Sequence, residues 1–77
     1  MTVYAVRQEG NYRRDQIIAL HETLEGAKAH AEEDSECEGA ERPFVWCKSE
    51  RASTWRLYDV SGTWPICWVL MLEIQRP

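Results

Sequence analysis

The sequence predicts an α+β domain: a mostly antiparallel five-stranded sheet, order 2-1-5-4-3, with one short helix packed on one face. Three observations lead there. β-branched and aromatic residues gather in five short segments separated by turn residues. A single segment carries small apolar residues at helical spacing. The last segment is apolar on both sides of its alternation, which is the mark of a strand in the middle of a sheet. At 77 residues, the chain 1–77 reads as one domain with little stability to spare.

The elements follow in order. Residues 2–8, Thr-Val-Tyr-Ala-Val-Arg-Gln, form the first strand. Glu9-Gly10-Asn11 turns the chain, because Gly and Asn tolerate positive φ. Residues 16–22 return as the second arm of a hairpin. Thr23 caps a helix with Glu25 in its first turn. Leu24, Ala27 and Ala31 make its narrow apolar stripe, which lets the helix lie close to the sheet. Gly26 weakens it by up to ~1 kcal/mol relative to Ala. The acids from Glu32 onward have no apolar periodicity and oppose the helix dipole, so the helix is expected to end near Glu33 or soon after. Gly39 and Pro43 punctuate the loop that follows. Phe44 to Ser49, Thr54 to Val60 and about Ile66 to Gln75 supply three more strands.

In the last strand Ile66, Trp68, Leu70, Leu72 and Ile74 point to one side, and Cys67, Val69 and Met71 to the other. Strands 1 and 5 therefore belong in the centre. A tension results. Five strands at ~4.8 Å span roughly 20 Å, whereas a helix is about 10–12 Å across. One helix cannot cover even its own side, and no element is left for the other. A large exposed apolar surface usually marks an interface.

Composition narrows the function classes. No apolar run approaches the ~20 residues of a membrane span, and no basic-then-apolar leader opens the chain. Three cysteines, an odd number, fit a reducing cytoplasm better than a disulfide scaffold. The net charge of −4 is local: Glu32, Glu33, Asp34, Glu36, Glu38 and Glu41 supply six of 13 acids. That balance argues against direct nucleic acid binding, which needs clustered bases.

The stretch Val3-Tyr4-Ala5-Val6, Gly10-Asn11-Tyr12, Ile17-Ile18-Ala19-Leu20-His21 and Thr23-Leu24-Glu25-Gly26-Ala27-Lys28-Ala29 resembles the opening of small phage and prophage ββαββ-type proteins of unknown function. The resemblance covers about residues 1–33. It implies a fold and a phage context, with the protein acting in the cytoplasm of an infected bacterial host. It implies no activity and no catalytic residues.

Little in the sequence points to chemistry. His30, Cys37, Cys47 and Cys67 lack the Cys-x2–4-Cys spacing that preforms a zinc site, so no metal and no other cofactor is expected. Cys47 and Cys67 read as buried small hydrophobes. His21 reads as a surface strand end and His30 as a solvated helix residue. No nucleophile–base pair or Gly-rich phosphate cradle is present, and the chain is not read as an enzyme.

The Trp residues are the strongest functional clue. Trp46, Trp55, Trp64 and Trp68 all lie in the last half. Trp68 shares its register with Leu70 and Leu72 and reads as core. Trp55 and Leu57 alternate with Thr54, Arg56 and Tyr58, so one of those two sides is open. Trp, Tyr and Arg dominate binding hot spots. The expected activity is protein–protein binding, either self-association into a dimer or capture of a host factor in taking over a host process. The surface would comprise Trp46, Trp55, Arg56, Tyr58, Trp64, Val69 and Met71. Two alternatives stand beside it. Glu33, Asp34, Glu36 and Glu38, in an acidic loop spanning 32–41, could mimic nucleic acid phosphates toward a host enzyme. A small ligand or nucleotide could be sequestered at an oligomer interface.

Overall fold

Strands β1 (Thr2–Gln8), β2 (Gln16–His21), β3 (Val45–Lys48), β4 (Thr54–Tyr58) and β5 (Cys67–Glu73) form one sheet in the order β2-β1-β5-β4-β3. All four pairings are antiparallel. Helix α1 (Leu24–Cys37) crosses one side. The computed structural model describes residues 1–8 and 16–75; the expected Glu9-Gly10-Asn11 turn lies outside the described residues. The strand order and the single helix are those expected. β5 is central because its alternation leaves nothing polar to face water on either side between Cys67 and Leu72.

Register sorts the side chains. Val6 sits between Ala19 and Val69, Val69 is opposite Trp55, and Cys67 is opposite Leu57. These residues face α1. The core is small: Val6, Ala27, Ala31, Leu57, Cys67 and Val69 are fully buried, with Tyr4, Ala19, Leu24, Phe44, Trp46, Trp55 and Ile66 packed around them. Alanines at positions 27 and 31 let the helix backbone sit low on the flat surface made by Val6, Cys67 and Val69. Ile66 precedes the strand and joins this cluster, so it does not share the side of Trp68 as the simple alternation predicts.

The helix runs to Cys37, beyond the expected end near Glu33. Ser35, four residues after Ala31, continues the buried stripe. Gly39, with φ of +98°, stops the helix. The Ala40 N–H donates to the Ser35 carbonyl at 2.9 Å and the Gly39 N–H to the Glu36 carbonyl at 3.0 Å. That paired closure needs a left-handed residue after the cap, which glycine provides without a Cβ clash. Beyond it, Arg42 folds back. Its Nη1 donates to Glu32 Oε1 at 3.0 Å, and its Nε pairs with Glu36. These carboxylates raise the Arg42 guanidinium above its ordinary pKa, Glu36 foremost. Charge that opposes the helix dipole is thus offset by a cation from the next segment.

At the other end Thr23 Oγ1 accepts from the Gly26 N–H at 3.0 Å. A Cβ on Gly26 would stand 2.9 Å from that hydroxyl oxygen and 3.5 Å from His21 Nδ1. Propensity alone favours Gly26→Ala by up to ~1 kcal/mol. Loss of an N-cap costs a similar ~1 kcal/mol. We therefore expect Gly26→Ala to leave the melting temperature level or lower. A thermal melt shifted several degrees upward would show that the cap moves aside freely.

Candidate functional site

The second side of the sheet carries no covering element among the described residues. Along it lie Val3, Ala5 and Arg7 on β1 and Leu70, Leu72 and Trp68 on β5. Thr54, Arg56 and Tyr58 come from β4, and Val45 and Cys47 from β3. Leu20 lies beside Ala5 and Ile17 beside Arg7 on β2. Ile17, Leu20 and Val45 are each more than half exposed, and Leu72 more than a third. Val3 and Ala5, on the same side, are buried. The outer edges are short or irregular: β3 has four residues, and a bulge interrupts β2 beside Val6 and Arg7. Both features discourage edge pairing.

One row across this side is chemically distinct. Trp68 is flanked in register by Arg7 on β1 and Arg56 on β4. The Arg7 guanidinium lies 4.9 Å from the Trp68 ring centroid, a cation–π contact. Arg56 Nε is buried without a hydrogen-bond partner. The strands contain one acid, Glu73, which stands opposite Thr2 on the helix side and pairs with it. No acidic side chain occupies a described strand position on the open side. Eight acids, from Glu22 to Glu41, instead lie on α1 and its flanks. Among the described strand and helix residues the charge is polarised, with acids on α1 and its flanks and arginines on the sheet's other side.

The expected surface residues divide between the two sides. Arg56 and Tyr58 are on the open side. Trp64 is 75 % exposed in the β4–β5 loop. Trp46 and Trp55 face the helix, where they fill the part of the sheet that α1 leaves uncovered. Trp46 Nε1 donates to Glu32 Oε2 at 3.4 Å, and Lys28 Nζ is 5.4 Å from its ring. Trp55 meets Tyr4 edge-on at 6.1 Å, with Lys48 Nζ 5.8 Å away. Val69 is fully buried under α1, so it presents no surface, and Met71 shares its side. Trp68, which the alternation assigned to the core, is half-buried on the open side instead. Strand alternation separates two sides but does not say which one the helix takes.

The acidic residues form no loop over 32–41. Glu33, Asp34 and Glu36 are in the last turns of α1, and Glu38 is its cap. Glu36 is paired with Arg42, and Asp34 is half-buried.

The two histidines also depart from expectation. His21 Nε2 and His30 Nδ1 are 2.9 Å apart, one donating to the other, with rings at 74°. Gly26 leaves room for the His21 ring, which then reaches His30 one turn on. The pair borders an open groove of about 400 Å³, with Glu33, Asp34 and Cys37 along the helix. Among the described residues no group of three or more His, Cys, Asp or Glu is placed to hold a metal ion.

The cysteines are free. Cys37 and Cys47 are exposed, and Cys47 is on the open side, so it is not the buried hydrophobe expected. Cys67 is buried, and burial pushes its thiol up to about 11. The thiolate is the reactive form. At pH 8 a maleimide should therefore label Cys37 and Cys47 within minutes, and Cys67 only after denaturation. Labelling of all three at one rate would contradict the core described above.

No protein-family model, curated protein or solved structure matches this chain.

Proposed function

We propose that this protein is a binding module whose open sheet side docks another polypeptide chain. The observation behind this reading is the apolar side that no element among the described residues covers, carrying Leu20, Leu70, Leu72, Trp68 and Tyr58. Five strands of four to seven residues give it roughly 20 Å across and about 13–23 Å along the strands. That is the scale at which exposed apolar patches mark interaction sites. Its residue types agree, because Trp, Tyr and Arg bring large contact area at low entropy cost. The reading gives the chain no catalytic role. A phage context, in which the partner would be a host protein, is part of the same proposal and rests on the resemblance of residues 3–29.

The acidic-mimic alternative is the weaker reading. Two of its carboxylates, Glu32 and Glu36, are already engaged by Arg42, and Asp34 is turned partly inward.

Site-specific photo-crosslinking tests the proposal. A benzophenone side chain at Tyr58, on the open side, should give a discrete protein adduct. The same group at Glu25, on the outer surface of α1, should not. The adduct should vanish when Leu20 and Leu72 are changed to Lys. Equal labelling from both positions would overturn the proposal. The adduct's mass separates a second copy, at 9.0 kDa added, from a different chain.

A further inference from the structure

Resting on that reading, we infer that the occupant of the open side is a different chain bearing carboxylates among apolar residues, and that Arg56 is its charged anchor. Arg56 stands in register between Trp68 on β5 and Cys47 on β3 and is half-buried. Its Nε is buried and has no hydrogen-bond partner. Buried polar atoms are nearly always paired, so this guanidinium is already partly desolvated, and its outer N–H donors are the ones an incoming group can reach. The planar guanidinium suits a carboxylate, which accepts two of its N–H donors together. No described strand position on this side offers one. Trp68, fixed against Arg7 on its other flank, gives the occupant an aromatic floor next to the charge.

A second copy is a poor occupant. Stacking two open sides buries Arg56 against a surface whose described strand positions carry no acid. Desolvating an unpaired charge in this way costs several kcal/mol. Single-stranded nucleic acid is also disfavoured. Leu20, Leu72 and Val45 surround the row and offer a phosphate backbone nothing to bind, and the chain's net charge is −4.

The test uses the full chain and synthetic probes. Three amphipathic peptides share one apolar pattern, with their polar positions all Glu, all Gln or all Lys. A short thymidine oligonucleotide is the fourth probe. Each is titrated into isotope-labelled protein and followed by NMR at the Trp68 indole and Arg56 Nε signals. The Glu peptide should bind and shift both. Arg56→Gln should weaken it on the order of tenfold or more, as should high salt on the unmodified protein, which keeps the test independent of that variant's folding.

A Gln peptide that binds as tightly would overturn the charge inference and leave the docking reading standing. So would a Glu peptide whose affinity ignores both Arg56→Gln and salt. Oligonucleotide binding at Trp68 with no peptide binding would overturn both. A dimer that Leu20→Lys dissociates would identify a second copy and overturn the inference alone.

Discussion

Replacing Leu57 with Ala is expected to remove about 3 kcal/mol of folding stability, and up to ~5 kcal/mol if the cavity stays open. Leu57 is the largest fully buried side chain. It stands between Trp46 on β3 and Cys67 on β5, under the helix alanines. Its neighbours hold one another in place. Trp46 is tied to Glu32, Cys67 Sγ donates to the Arg7 carbonyl at 3.3 Å, and the Ile66 N–H donates to the Leu57 carbonyl at 2.8 Å. The site therefore has little freedom to collapse around a smaller residue. A domain of this length carries about 4–12 kcal/mol in total. The variant should retain about three quarters of that at best and almost none at the low end, seen as a lowered urea midpoint at unchanged slope. Leu70→Ala on the open side is the control. Leu70 is half-buried, with solvent above it, and should cost about 1–2 kcal/mol. Equal losses at the two positions would mean that the open side is covered in solution by some other part of the chain or by another molecule.

The contrast between Leu57 and Leu70 bears on what the sequence discloses. Both residues are leucines at alternating strand positions. The strand order was legible because β5 is apolar on both sides and β1 begins with β-branched residues. Those features force both strands into the middle. The choice of side was not legible from alternation. It depends on fit: α1 presents Ala27 and Ala31, and so settles on the flat surface of Val6, Cys67 and Val69. Trp46 and Trp55 wall it on one flank. Trp68, Leu70 and Leu72 are too bulky to let a helix so close, and no element among the described residues covers them. The length of α1 was partly legible. Gly39 stood at the stopping place, but the acids before it obscured the signal. What offsets their charge is Arg42, a contact made only once the loop folds back. The meeting of His21 and His30 was not visible at all, since it depends on the space left by Gly26.

The open side leads to the second large effect. Ile17 and Leu20 are on β2, an edge strand, and are 56 % and 57 % exposed. Changing both to Lys removes apolar surface that water already touches. The expected cost in stability is within about 0.5 kcal/mol for each, because neither side chain belongs to the helix-side cluster. Lysine on an edge strand also discourages pairing with other sheets. The effect on surface behaviour should be far larger. The native protein should enhance the fluorescence of an apolar dye such as ANS and approach a solubility limit at high concentration. The double variant should lose most of the dye signal and remain soluble, while its urea midpoint stays near that of the parent. Stability and surface character are thus expected to separate cleanly at β2, and to move together at Leu57. If the double variant instead unfolded early, Ile17 and Leu20 would be core residues, and the sheet would have no open side for a partner to occupy. If it folded normally but kept the full dye signal, the exposed apolar surface would lie elsewhere, with Trp64 in the β4–β5 loop the first position to change.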